Sequence, residues 1–107
     1  MTINRIYFMI TFPNCKINIG LHVLSKRADG FHSIETVFLP VKGLKDILEL
    51  KESRETEFYC TGLGSQYLTK NNLCMKAYEL LKEEYQLPPV KMHLHKCIPT
   101  GAGLGGG

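Results

Sequence analysis

A mixed α+β domain is the class this sequence predicts, on three observations. Strand-type alternation covers much of the first sixty or so residues and returns near residue 90. A single segment, Asn72 to Tyr85, carries helical periodicity. The last strand then runs into glycine, with five of the seven residues from Gly101 to Gly107. Strands, one helix, a strand and a glycine loop make an α+β order rather than a repeating βαβ one.

The elements follow in order along the chain. The run from Ile6 to Phe12 is apolar but lacks a basic leader and a small-residue cleavage site, and it is too short to span a bilayer. A soluble, cytoplasmic protein with no membrane contact is the expectation. From Cys15 to Leu24 the chain alternates, with Ile17, Ile19, Leu21 and Val23 expected on one face and Lys16, Asn18, Gly20 and His22 on the other. Asp29-Gly30 marks a hairpin turn, and His32 to Val41 reads as the return strand, ending at Pro40 or lying at an edge. Asp46 to Lys51 and Thr56 to Thr61 read as a second hairpin around residues 52–55. Residues 62–69 are loop. In the helix, Leu73, Ala77, Leu80 and Leu81 form the apolar stripe, widened by Cys74, Tyr78 and Tyr85, with Glu79, Lys82 and Glu83 on the solvated side. Asn71 or Asn72 caps its start, and Pro88-Pro89 lies beyond its end. Val90 to Cys97 alternates again, with Val90, Met92 and Leu94 on one face.

Composition narrows the function classes. The 107 residues suit one small domain, and 44% hydrophobic with 21% charged residues is globular rather than disordered. The net charge of +3 is scattered, and its densest group, Lys26-Arg27, is too small for a nucleic-acid stripe. Such a balance suits an anionic small molecule about as well as it suits no particular partner. The four cysteines, Cys15, Cys60, Cys74 and Cys97, contain no CxxC pair and read as reduced thiols. His93, His95 and Cys97 form an HxHxC run with zinc-type donors, but neighbours two apart on one strand make a strained clamp without a fourth ligand, so a polar strand face is preferred and no metal site is expected.

The glycine segment has two physical readings. Backbone without Cβ atoms can approach a ligand closely, and successive N–H groups can converge on a phosphate. A flexible linker is the competing reading, although Pro99, Thr100, Ala102 and Leu104 are unusual in one. Walker A fails, because Gly107 stands where its lysine should be. GxGxxG is met by Gly101, Gly103 and Gly106, which alone is weak. Strand periodicity by itself would leave Lys16 and Asn18 as solvent-facing residues, and His32 as ordinary surface.

Three stretches taken together say more. FPNCKINIGLHV, KRADGFHSIETVF and IPTGAGLGGG occur in this order. They resemble the N-terminal half of the GHMP kinases, the family of galactokinase, homoserine kinase, mevalonate kinase and phosphomevalonate kinase. The first stretch is similar to A-P-A-K-[IL]-N-L, with Phe12 and Cys15 where alanines are usual. The second meets R-x-D-G-[YF]-H at Arg27, Asp29, Gly30, Phe31 and His32, and the third meets P-x-G-[AG]-G-L-G-G-G-S-S from Pro99 to Gly107, short of its serines.

The resemblance implies a two-layer α+β domain of the GHMP type, cut after the first part of its phosphate loop. A C-terminal domain would lie beyond residue 107. It implies ATP and Mg²⁺ as cofactors. Pro99, Thr100, Gly101, Ala102, Gly103, Leu104, Gly105, Gly106 and Gly107 would bind the ATP phosphates. The DGFH stretch and the triple glycine favour a member whose acceptor carries cytidine diphosphate on a methylerythritol unit, phosphorylated at its 2-hydroxyl in non-mevalonate isoprenoid synthesis. Phe31 would then stack on cytosine, His32 would bond its edge, and Asn18 would face the substrate. Lys16 would sit beside a catalytic Asp that takes the hydroxyl proton. In the family that Asp lies in a G-A-D-V-P segment. This chain has only Asp29 and Asp46, and neither matches, so inactivity of the isolated chain is expected. Oligomeric state is not implied.

Overall fold

The architecture comes from a computed structural model that describes residues 7–68 and 71–106. The strands are β1 (Phe8–Thr11), β2 (Asn14–Lys26), β3 (His32–Lys45), β4 (Ile47–Glu52), β5 (Glu57–Gly62) and β6 (Val90–Lys96), and the helix is α1 (Leu73–Tyr85). They form a four-stranded sheet of order β1-β4-β6-β5 and a separate antiparallel ribbon, β2-β3.

The ribbon grows from the DG turn. Gly30 has φ 88°, and Asp29 Oδ1 accepts the Phe31 N–H at 3.0 Å. Both strands outrun their expected lengths. Pro40 does not end β3; it pairs with Lys16, tolerated because each strand of a two-stranded ribbon keeps a free edge.

The expected face assignment needs correction. Ile19 pairs with Val37 and Leu21 with Thr36, so Gly20 is an extra residue, a bulge with φ 69°. One unpaired residue inverts the alternation beyond it. Ile17 and Ile19 therefore share a face with Val37, Leu39 and His22, while Leu21 and Val23 join Lys16, Asn18, Thr36 and Phe38. Beyond the ribbon's base, where Cys15 is buried, neither face is covered among the described residues: Ile19, Leu21, Val23, Val37 and Phe38 are all exposed.

The second expected hairpin also differs. Its two strands form where expected, but they do not pair with each other. Strand β6 lies between them, antiparallel to β4 and parallel to β5. A parallel partner requires a long crossover, and residues 63–89 with α1 supply it. The apolar N-terminal run adds a strand the sequence reading did not assign, β1, at the outer edge of β4.

Helix α1 starts at Asn72, whose side chain accepts the Met75 N–H at 3.1 Å. It ends at Gln86, which has φ 51° and returns its N–H to Lys82 O. The helix lies over one sheet face. Buried Tyr78 anchors it, with its hydroxyl donating to Pro88 O at 2.9 Å. An apolar groove of about 530 Å³ remains there, lined in part by Leu48, Leu73, Tyr78, Leu81, Pro88 and Met92. On β6, Met92 and Leu94 are buried as the alternation predicts, and Ile98 continues the core past the strand.

Candidate phosphate-binding site

The glycine segment leaves β6 and folds back against the start of β2. Gly101, Gly103 and Gly105 have φ of 72°, 75° and 75°, whereas Ala102 and Leu104 between them do not take positive φ. Alternation between left-handed and ordinary residues turns successive N–H groups toward one concavity, an anion-binding nest. Gly106 is needed for a different reason: a Cβ there would strike the Ile98 side chain.

The loop's direction is set by β2. Lys16 N–H donates to Leu104 O at 2.9 Å, and Lys16 Nζ donates to Gly103 O at 3.0 Å. The described residues contain no cis peptide, and in a trans peptide the C=O and the following N–H point in opposite directions. Holding these two carbonyls toward Lys16 therefore aims the N–H groups of Leu104 and Gly105 away from it. A phosphate can be received there without any basic side chain in the loop itself.

Lys16 is also the start of a polar chain along the ribbon. Its ammonium donates to Asn18 Oδ1 at 2.8 Å and stands 5.4 Å from the Phe38 ring centre. Asn18 Nδ2 donates to Thr36 Oγ1 at 3.2 Å, and Thr36 donates to Gly20 O at 2.5 Å. The loop is thus joined through Lys16, Asn18 and Thr36 to the bulge. Two of the three ammonium protons are used in these bonds, and the third can serve a substrate.

The structure brings Lys16 and Asn18 together with the loop. Pro99 and Thr100 form the loop's entry, and Gly107 lies outside the described residues. Phe31 and His32 sit at the far tip of the ribbon, where Phe31 is 71% exposed and His32 pairs with Lys26. From Lys16 to Lys26 an unbent strand would reach roughly 33 Å at the usual rise per residue, and three register shifts bend the ribbon over that distance. The described residues show no bond between the tip and the loop.

Four functional candidates escaped the sequence reading. Thr36 and Phe38 face Lys16 and Asn18 only because of the β2-β3 register. Asp46 and Lys96 form a buried ion pair of 2.5 Å at the loop's base. Lys96 did carry a signal: it is the next member of the Val90, Met92, Leu94 face, a lysine at a core position. The HxHxC run does not act as a unit. His93 Nε2 and His95 Nδ1 both hydrogen-bond Thr61 Oγ1, at 2.9 and 2.8 Å, while Cys97 lies past the strand with its N–H on Asp46. All four cysteines are free thiols. Among the described residues, no helix is long and apolar enough to cross a membrane.

Known proteins are similar to this chain. Residues 72–107, which hold α1, β6 and the glycine loop, match the GHMP kinases N terminal domain. The chain is 54% identical over 99 residues to the 4-diphosphocytidyl-2-C-methyl-D-erythritol kinase of Azobacteroides pseudotrichonymphae genomovar. CFP2, covering 92% of this chain and 37% of that protein. It is 57% identical over 99 residues to the kinase of the same name from Cytophaga hutchinsonii, covering 92% and 36%. A crystal structure of 4-(cytidine 5'-diphospho)-2C-methyl-D-erythritol kinase superposes with a TM-score of 0.69 at 34% identity, over 92% of this chain and 35% of that one. The chain thus spans little more than a third of the length of these relatives. Its motifs, its mixed sheet with one helix, and its relatives agree that it has the fold of a GHMP kinase N-terminal domain.

Proposed function

We propose that this chain is the nucleotide-binding part of a cytoplasmic, ATP-dependent kinase that phosphorylates the 2-hydroxyl of 4-diphosphocytidyl-2-C-methyl-D-erythritol. The observation that carries the reading is the loop from Gly101 to Gly106, whose alternating φ and lysine-held carbonyls present amides for the ATP phosphates. The relatives' shared name supplies the acceptor. A scattered net charge of +3, with no basic cluster larger than Lys26-Arg27, argues against nucleic acid.

In this reading Lys16 joins the phosphate loop to the acceptor. Its ammonium fixes the loop and Asn18, and its remaining proton favours an ionised acceptor oxygen. The catalytic base is an Asp supplied by polypeptide outside this chain. Phe31 stacks on cytosine and His32 bonds its edge once the ribbon tip meets the acceptor. Mg²⁺ shares the charge of the transferring phosphate when bound. The described residues offer no ligand set for it: Asp46, at the loop's base, is committed to two amides and an ammonium.

The test is phosphate transfer by the full-length protein. With ATP and a panel of alcohols, the expected product is the 2-phosphate of 4-diphosphocytidyl-2-C-methyl-D-erythritol, and Lys16→Met should reduce kcat by at least a hundredfold. Transfer to galactose, homoserine or mevalonate instead, or no transfer at all, overturns the assignment. Near wild-type turnover in Lys16→Met removes the role given to Lys16.

A further inference from the structure

Lys96 is buried, 1% exposed, at the end of a strand face otherwise made of Val90, Met92 and Leu94. Its ammonium meets two partners. One is Asp46 Oδ2, at 2.5 Å, and the other is the carbonyl of Gly106. Asp46 is equally enclosed, 5% exposed. Its second oxygen, Oδ1, accepts the N–H groups of Cys97 and Ile98, each at 2.8 Å. Its own N–H donates to Pro13 O at 2.9 Å, which fixes it to the start of the ribbon.

These bonds describe a clasp. One carboxylate grips the segment where it leaves β6, at Cys97 and Ile98. Through Lys96 it grips the same segment again at Gly106, after the glycine turns. Lys16 holds the middle, at Gly103 and Leu104, from the opposite strand. All three points use backbone groups on the loop's protein side, leaving the amides of Leu104 and Gly105 for a ligand.

Stability alone does not account for the pair. A buried ion pair is often no better than apolar side chains of similar volume, because both charges must leave water. An apolar residue at position 96 would extend the Met92–Leu94 core. It could not donate to a loop carbonyl.

We propose that Lys96 is a positioning residue of the nucleotide site, and that Asp46 and Lys96 together hold the glycine loop in its anion-receiving shape before ATP arrives. This rests on the reading of the loop as an ATP phosphate site. A loop already shaped for its ligand loses less freedom on binding, so the clasp acts on ATP affinity.

The experiment measures ATP binding by calorimetry, and the thermal midpoint, in the full-length protein. Three forms are compared: wild type, Lys96→Met, and the double variant Asp46→Asn/Lys96→Met. Lys96→Met leaves a buried carboxylate unpaired, so it should lose both stability and ATP affinity. The double variant removes both charges, so its thermal midpoint should recover most of the loss. Its ATP affinity should stay at least tenfold below wild type, while the KM for the alcohol acceptor stays within twofold. Recovery of ATP affinity along with the midpoint shows the pair to be structural only and overturns the proposal. Equal ATP binding by all three forms does the same. Absence of ATP binding by wild type overturns the kinase reading itself, and the clasp with it. If Lys96→Met does not fold, the double variant against wild type decides.

Discussion

A single carboxylate joins three segments of this molecule. Asp46 lies between β3 and β4, bonds the ribbon's start through its N–H, and holds the exit of β6 through its side chain. The sequence showed an acid before a strand and nothing more, because a carboxylate's partners come from residues about fifty positions away. Lys96 was better marked, since its place on an apolar strand face could be counted. The charges near this pair also bear on two thiols. Burial pushes the Cys60 and Cys74 thiols above their ordinary pKa, with the Lys96 ammonium opposing the rise and Asp46 adding to it. The folded protein therefore keeps these protons to higher pH than the unfolded chain does. Their contribution to stability is complete below the ordinary thiol range and is lost as pH rises through it toward the folded values. The unfolding midpoint of the full-length protein in urea should fall between pH 8 and pH 10, and fall less in Cys60→Ser/Cys74→Ser. An identical pH dependence in the two proteins would show that these thiols carry none of it.

At the scale of elements, periodicity served where one strand or helix meets one environment. It failed where pairing was decided elsewhere. Of the expected helix stripe, Leu73, Cys74, Ala77, Tyr78 and Leu81 line the groove over the sheet, whereas Leu80 and Tyr85 lie outside it and are exposed. The Asn72 cap of α1 and the buried face of β6 were legible. The hairpin assigned to β4 and β5 was not, because β6 arrives from 28 residues beyond β5 to separate them. Nor was the bulge at Gly20, since a glycine in an alternating run gives no sign of the phase change it introduces. The glycine loop is the opposite case: its residues announced a special backbone, which positive φ explains at Gly101, Gly103 and Gly105 and close approach to Ile98 explains at Gly106. Gly105→Ala puts an L-residue at φ 75° with its Cβ about 3.2 Å from Lys16 Cε. A left-handed non-glycine residue costs about 1–2 kcal/mol. If the loop keeps its shape in the ATP complex, that strain is borne in both states and lowers stability by this amount; if Lys16 is displaced, ATP affinity drops as well. Urea unfolding and ATP calorimetry of the variant separate the two, and displacement of Lys16 predicts a tenfold weaker affinity. Unchanged stability and affinity would contradict the geometry of Gly105.

At the scale of the molecule, the described core is small. Cys15, Tyr78, Met92, Leu94 and Ile98 are its buried apolar residues, and both ribbon faces beyond the Cys15 base, with the α1 groove, stay open among the described residues. The radius of gyration is 16.8 Å, against about 13 Å for a compact domain of this length. An elongated shape with uncovered apolar faces fits a chain that spans little more than a third of its relatives. The proposed phosphate site, by contrast, is assembled from β2, the β3–β4 junction, β6 and the loop, all within this chain. It therefore makes a claim that can be checked atom by atom. In an ¹⁵N-labelled full-length protein titrated with ATP, the amides of Leu104 and Gly105 should move downfield and saturate with the binding isotherm. Saturating ATP that shifts other amides but leaves those two in place would contradict the account.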